Sequence, residues 1–317
     1  MADSNSAPTW QRRPEAGSRF GMQVLLWITR LFGRRVVHAV MAPVSAYFLF
    51  TRGPERRASR AFLDRALDRR ASLRDVYRHF FRFACMSVDR AFFLLDAKRS
   101  AAGLAEQVPV TFVGGPESQA VVDAGRPGIF LAAHLGSFEA SRVLGAAFGG
   151  MDLRIVLDRN QGARISELAA ELNPELAKNV IDAGSSTVEL GLKIKEALAE
   201  GAWVGFLADR YRDGDRTLPV PFLGQTALFP VGPYLIANTF KAPVIGTFCR
   251  QGAAGYEVHC EVLSEAVDLP RGQREAALAA LVERYVSRLE HHVRASPYAW
   301  FNFFDFWAGA SGHRRDR

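Results

Sequence analysis

From about residue 105 the chain repeats a short apolar run, a turn and a helical pattern, and this rhythm restricts it to few folds. "GIFLAAH" (128–134) is an apolar run of strand length, and Ser137 after it can cap a helix predicted to reach about residue 148. "LRIVLD" (153–158), "NVIDA" (179–183), "WVGFLAD" (203–209) and "TLPVPFL" (217–223) read as further strands. Helical patterns fall at 162–172, 186–200 and 231–240, and Gly201 ends the second. "APVIGTFCR" (242–250) with "YEVHCEVL" (256–263) reads as a strand pair, before a last helix at about 274–294. Strands that alternate with helices in this way form a mainly parallel sheet, because a parallel neighbour is reached only by a crossover. The expected class is therefore α/β: a mixed, mainly parallel sheet flanked by helices over residues 101–317.

Residues 1–100 are different in kind. The first 99 hold 19 of the 40 Lys and Arg against 8 of the 33 acids, a net of +11, and the remainder carries −4. Such charge suits nucleic acid or a phospholipid surface. The residues between the arginines decide for lipid. "FGMQVLLWITRLFGRRVVHAVMAPVSAYFLF" (20–50) is two apolar helical patterns interrupted by Arg30, Arg34 and Arg35, and no nucleic-acid-binding motif accompanies them. Neither pattern reaches the roughly 20 uninterrupted apolar residues of a spanning helix. Both suit a helix lying in the interface with its arginines at the headgroups; a single kinked span and an Arg-rich bundle packed on its own domain are the alternatives. Recurring arginines and the lack of a small-residue cleavage site argue against a signal peptide. "SLRDVYRHFFRFACMSVDRAFFLLD" (72–96) is an amphipathic helix with Val76, Phe80, Phe83, Ala84, Val88, Ala91 and Leu95 on one stripe and a Ser72/Asp75 start signal. An N-terminal helical membrane-associating region is thus expected over residues 1–100. Three widely spaced cysteines, Cys85, Cys249 and Cys260, make no disulfide framework and fit a reducing environment.

Sites in open α/β sheets gather at the carboxyl ends of strands. His134 ends one predicted strand, Asp158 with Arg159 another, and Asp209 with Arg210 a third, so three polar clusters should meet in one crevice. His134 can act as general base on a hydroxyl. Glu139, five residues beyond it at the opening of the next helix, can take the hydrogen bond of the far ring nitrogen and stabilise the imidazolium. Ser137 lacks the GxSxG elbow of a hydrolase nucleophile. A histidine and a glutamate at this spacing also fit a strand-end histidine satisfied by its surroundings. No Walker loop, GxGxxG or HExxH occurs.

These residues resemble a known family, the bacterial lysophospholipid-acyltransferase superfamily, in particular its lipid A late-acyltransferase branch. His134 and Glu139 in "AAHLGSFEASR" match its His-x4-Asp/Glu. "FLADRYRDGDRTLPVPFLGQTALFPVGPYLIANTFKAPVIGTF" is similar to a block of that branch, and "SPYAWFNFFDFW" to its closing aromatic segment. The resemblance runs from about Phe20 to Trp307 and is nearest to a subgroup of acyltransferases, some tied to aryl polyene and related lipids. It implies direct transfer of a fatty or aryl polyene-type acyl chain from an acyl carrier protein or coenzyme A thioester to a hydroxyl of a lipid or glycolipid. His134 would be the base and Glu139 its partner. Arg159, Arg164, Asp209 and Arg210 are then the substrate-binding candidates. No cofactor beyond the thioester donor, no metal and no nucleic acid are expected, and the cytoplasmic face of the inner membrane is the expected location. Where lipid A enzymes commonly show Asp-Gln, this chain has Asp209-Arg210, which leaves the acceptor open. Two other readings stand beside this one: a metal-dependent glycosyltransferase using Asp213 and Asp215 of "RDGDR", and a non-catalytic lipid-binding protein.

Overall fold

The computed structural model describes residues 19–95, 108–141, 148, 150–158, 179–252 and 255–313. Among them, seven strands form one sheet: β1 (Val110–Gly114), β2 (Ile129–Ala132), β3 (Leu153–Leu157), β4 (Val180–Asp182), β5 (Trp203–Leu207), β8 (Val244–Gln251) and β9 (Tyr256–Ser264), in the order β1-β9-β8-β2-β5-β3-β4. Every pairing is parallel except β8 with β9. The expected mixed, mainly parallel sheet is present. β2 lies at its centre between β8 and β5, and all four of its residues are buried, as an uninterrupted apolar run requires of a strand covered on both faces. In β9, by contrast, Tyr256, Val258 and Cys260 are buried while Glu257, His259 and Glu261 are partly exposed, the period-2 pattern of a strand with one wetter face.

The "PVPFLGQT" stretch leaves the main sheet. β6 (Thr217–Phe222) and β7 (Gln225–Pro230) form a separate antiparallel hairpin. Its two-residue turn, Leu223 and Gly224, has positive φ at both positions, which matches the twist of the strands it joins. The Leu223 N–H donates to Glu290 Oε2 at 2.7 Å, so the turn is tied to helix α8 (Arg274–Ala295).

Helices α4 (Pro116–Asp123), α5 (Phe138–Ser141), α6 (Thr187–Ala199) and α7 (Gly232–Phe240) connect the strands, and α9 (Ala308–His313) follows the closing aromatic segment. Ser186 caps α6 by accepting the Glu189 N–H, and Gly201 takes φ 86° just past its end. The helix expected over 162–172 lies outside the described residues, as does the predicted continuation of α5 over 142–147.

Three helices precede the sheet. α1 (Arg19–Thr51) contains Pro43 and breaks at Gly33, whose φ of 73° no helical residue adopts, so the two predicted apolar helices meet at this glycine. α2 (Gly53–Ala66) opens with Pro54 in its first turn and buries Ser59, Phe62, Leu63 and Ala66. α3 (Leu73–Leu95) starts with the predicted cap: the Asp75 N–H donates to Ser72 Oγ, and the Ser72 N–H donates to Asp75 Oδ2. Arg34 makes two 2.8 Å hydrogen bonds to Asp89 of α3. The same buried carboxylate takes His38 Nε2 at 3.0 Å and accepts the Tyr256 hydroxyl at 2.8 Å. One acid therefore joins α1, α3 and β9. Leu49, Phe62, Leu63, Val76 and Phe80 of these helices share a core with Ile129, Leu131 and Val204 of the sheet and with Trp300, Phe306 and Trp307. The expected division near residue 100 lies outside the described residues.

Among the described residues no helix is long and apolar enough to cross a membrane. α1 nevertheless presents an exposed apolar stripe: Val36, Val40, Pro43, Tyr47 and Phe50 are exposed, and steps of three, four and seven residues place them on one side of the helix. Val37, Met41 and Leu49 fill the buried side.

Candidate active site

β2 and β5 are adjacent and parallel, with Ala132 opposite Leu207, so their carboxyl ends stop at the same level. The Ala208 N–H extends the pairing to the Ala132 carbonyl at 2.9 Å, and that carbonyl also accepts the Tyr285 hydroxyl at 2.8 Å. His134 and Asp209 each follow two residues past their strand. His134 Nδ1 lies 2.8 Å from Asp209 Oδ1, and the His134 backbone N–H donates to Asp209 Oδ2 at 3.0 Å. Imidazole and carboxylate are thus held at two points by strand geometry, before any other contact is counted.

The chain must then turn sharply away. Gly136 has φ 64°, and a Cβ at this position would come within 2.4 Å of the Cys249 carbonyl, so a side chain is barred there. The backbone of 134–136 is paired by the closing aromatic segment. Leu135 bridges antiparallel to Trp300, the Phe301 N–H donates to the His134 carbonyl at 2.9 Å, and the Gly136 N–H donates to the Ala299 carbonyl at 2.7 Å. The fully buried Trp300 sends its indole N–H to Asp209 Oδ2 at 2.9 Å.

Asp209 accepts from three donors and is wholly buried. Burial alone would raise its pKa, but the His134 charge, the His134 hydrogen bonds and the Arg210 charge hold it well below the usual carboxylate range. The carboxylate is ionised, so Nδ1 carries the proton and Nε2 is left as the basic nitrogen. His134 moves below its ordinary value of 6.5 because it is desolvated and faces the Arg210 charge, with Asp209 acting in the opposite direction. It is neutral at neutral pH, and 31% of its side-chain surface stays exposed. A neutral imidazole with an anchored Nδ1–H and an open side is the state a general base requires.

Arg210 sits beside this pair. Its guanidinium donates to the Phe301 carbonyl at 2.8 Å and stacks 5.1 Å over the Phe304 ring. Its buried Nε has no hydrogen-bond partner among the described residues.

The structure brings His134, Asp209 and Arg210 together. Asp209 was expected among the substrate-binding residues, and here both of its oxygens are engaged by His134 and Trp300. Asp158 follows β3 at the same end of the sheet. Glu139 lies on the short helix α5, with its side chain outside the described residues, and Arg159 and Arg164 lie outside them altogether. Asp215 Oδ2 accepts the Arg212 N–H at 2.7 Å around Gly214, at φ 83°, so this acid closes its own turn. Trp300 was not foreseen as a partner of the site. Its only signal was the cluster of aromatics after Ser296.

Among the described residues no group of three or more His, Cys, Asp or Glu could hold a metal ion. A search of the curated proteins found no match. The family model described as bacterial lipid A biosynthesis acyltransferase matches residues 14–308. This span includes the strand-end histidine, its carboxylate and the aromatic segment that closes over both. The chain belongs to the bacterial lipid A biosynthesis acyltransferase family and is a lipid acyltransferase.

Proposed function

We propose that the protein moves an acyl chain from a thioester, carried by acyl carrier protein or coenzyme A, to a hydroxyl of a lipid or glycolipid, with His134 as general base. The observation that carries this reading is the His134 imidazole with its Nδ1 2.8 Å from the buried Asp209 carboxylate and part of its ring surface open. Nε2 takes the proton of the acceptor hydroxyl as that oxygen attacks the thioester carbonyl. The new C–O bond forms, the C–S bond breaks, and the imidazolium returns the proton to the departing thiolate. Asp209 holds the ring in the right tautomer and stabilises the imidazolium. With Nδ1 on Asp209 and Nε2 given to the acceptor, Glu139 acts on the imidazolium through its charge and not through a hydrogen bond to the ring. Arg210, with an unused Nε–H, binds an anionic group of the acceptor, and Arg159 and Arg164 assist from the segment after β3.

The acceptor is reached from the cytoplasmic face of the inner membrane. The exposed apolar stripe of α1 supports the membrane contact in this reading, since Tyr47 and Phe50 keep 64% and 69% of their surface exposed. Purified protein given radiolabelled acyl thioester with and without extracted inner-membrane lipid tests the reading. It predicts label in a lipid product and thioester consumption that depends on the lipid. Thioester hydrolysis at an equal rate without lipid would contradict it.

A further inference from the structure

One buried histidine lies outside the chemistry described so far. His79 of α3 is completely enclosed, with Ser59 Oγ 2.8 Å from its Nδ1 and the Trp300 carbonyl 3.0 Å from its Nε2. A carbonyl can only accept, so Nε2 carries the proton, Nδ1 is the acceptor, and the Ser59 hydroxyl donates. The ring is stacked on Phe303 at 4.6 Å between centroids, and Phe62 lies against both His79 and Trp300. Trp300 is thus gripped at both ends. Its carbonyl is held by His79, and its indole N–H is spent on Asp209, which holds His134. The hydrogen bonds run without a gap from α2 through α3 and the closing segment to the base.

We propose that His79 is a positioning residue for the acyl transfer: by fixing Trp300 it fixes the Asp209 carboxylate against His134, and so couples the N-terminal helices to the catalytic imidazole. The inference rests on His134 being the base. Any movement of Trp300 takes a donor from Asp209 and leaves the carboxylate a stronger acceptor for the imidazolium. The charges facing His134 among the described residues are Asp209 and Arg210 after β5 and Arg90 on α3. None of them touches His79, whose links to His134 run through Trp300 and, by a 6.0 Å ring stack, through Phe301, whose N–H donates to the His134 carbonyl; Trp300→Phe leaves the second link in place and so isolates the first.

The test is the titration of His134, followed by NMR in histidine-labelled protein, alongside acyl-transfer kinetics. Trp300→Phe removes the indole donor directly. His79→Leu removes one of the two donors to the carbonyl, the other being the Asn302 N–H at 2.9 Å, and His79→Gln restores a donor. The expected result is an upward shift of the His134 midpoint of about half a unit in Trp300→Phe and in the same direction in His79→Leu, with return toward wild type in His79→Gln. Turnover should fall about 10-fold in His79→Leu with KM for the thioester within about 2-fold, and recover in His79→Gln. A His134 midpoint unmoved in folded His79→Leu while Trp300→Phe shifts it overturns the inference, as does failure of His79→Gln to restore it. If neither variant moves the midpoint, Trp300 does not govern Asp209 and the inference also falls. The titration needs no turnover, so the two failures are distinguishable: turnover that survives in folded His134→Ala defeats the assignment of the base, whereas an unmoved His134 midpoint in His79→Leu defeats the coupling of His79 to the His134–Asp209 pair.

Discussion

Asp209 and His134 are joined twice, once through the imidazole and once through the histidine's own backbone N–H, so the angle between ring and carboxylate is set by the main chain. Asp209→Asn keeps the shape but gives Nδ1 an amide that cannot stabilise an imidazolium. Turnover is expected to fall about 10²–10⁴-fold with little change in KM. The amide also faces donors it cannot fully satisfy, so unfolding free energy should drop by about 1–3 kcal/mol. Steady-state kinetics and urea unfolding of the same preparation measure both.

The pH dependence of activity follows from the sign of the His134 shift. The base is active when neutral and its pKa is lowered, first by burial and then by the Arg210 charge. The acid limb of kcat/KM should therefore fall below the ordinary 6.5. Arg210→Gln removes one lowering influence and should raise the limb. A limb that stays put or moves down would contradict the assigned field.

Stability should carry a second histidine signature. Burial drives the His79 pKa from 6.5 to about 4, with the Trp300 carbonyl opposing. The unfolded chain binds the proton more readily between those values, so the contribution of His79 is full above pH 6.5 and is lost as pH falls toward 4. The amount is of order 3 kcal/mol. His134, His259 and His292 are lowered too and act in the same sense. Chemical unfolding at pH 7 and pH 4.5 should show the loss, and His79→Gln should show a smaller one.

The fold was largely legible because its signals are local. Four buried residues in a row mark β2, Ser72 and Asp75 mark the start of α3, and Ser186 and Gly201 bound α6. His134 was legible as a base from its position after a strand. What escaped was long-range. Trp300 lies 91 residues beyond Asp209, and no spacing rule connects an aromatic cluster to a strand-end acid. α2 was hidden because its buried stripe is short and sits among arginines, and its packing rather than its pattern stabilises it. β6 read as a strand but could not be told from a strand of the main sheet, since the pattern reports burial and not the partner, and its hairpin partner β7 was not read as a strand at all.

α1 should be separable from the membrane without unfolding the protein. Tyr47→Asp with Phe50→Asp places two charges on the exposed stripe, away from the core residues Met41 and Leu49. In vesicle flotation the double variant should shift from the floating to the soluble fraction, with its thermal midpoint within a few degrees of wild type. Undiminished flotation would remove α1 as the membrane contact.

The buried Asp89 is expected to matter for stability rather than chemistry. Asp89→Ala strands Arg34, leaves the Tyr256 hydroxyl without its acceptor, and should cost about 3–5 kcal/mol in urea unfolding. The same change made together with Arg34→Met and Tyr256→Phe should recover part of that loss.

Acyl transfer by folded His134→Ala, measured as labelled lipid formed from labelled thioester at saturating acceptor, tests the central assignment most directly. Loss of turnover by about 10³-fold or more, with a thermal midpoint close to wild type, is the predicted result. Turnover within about 10-fold of wild type would mean that another group takes the proton.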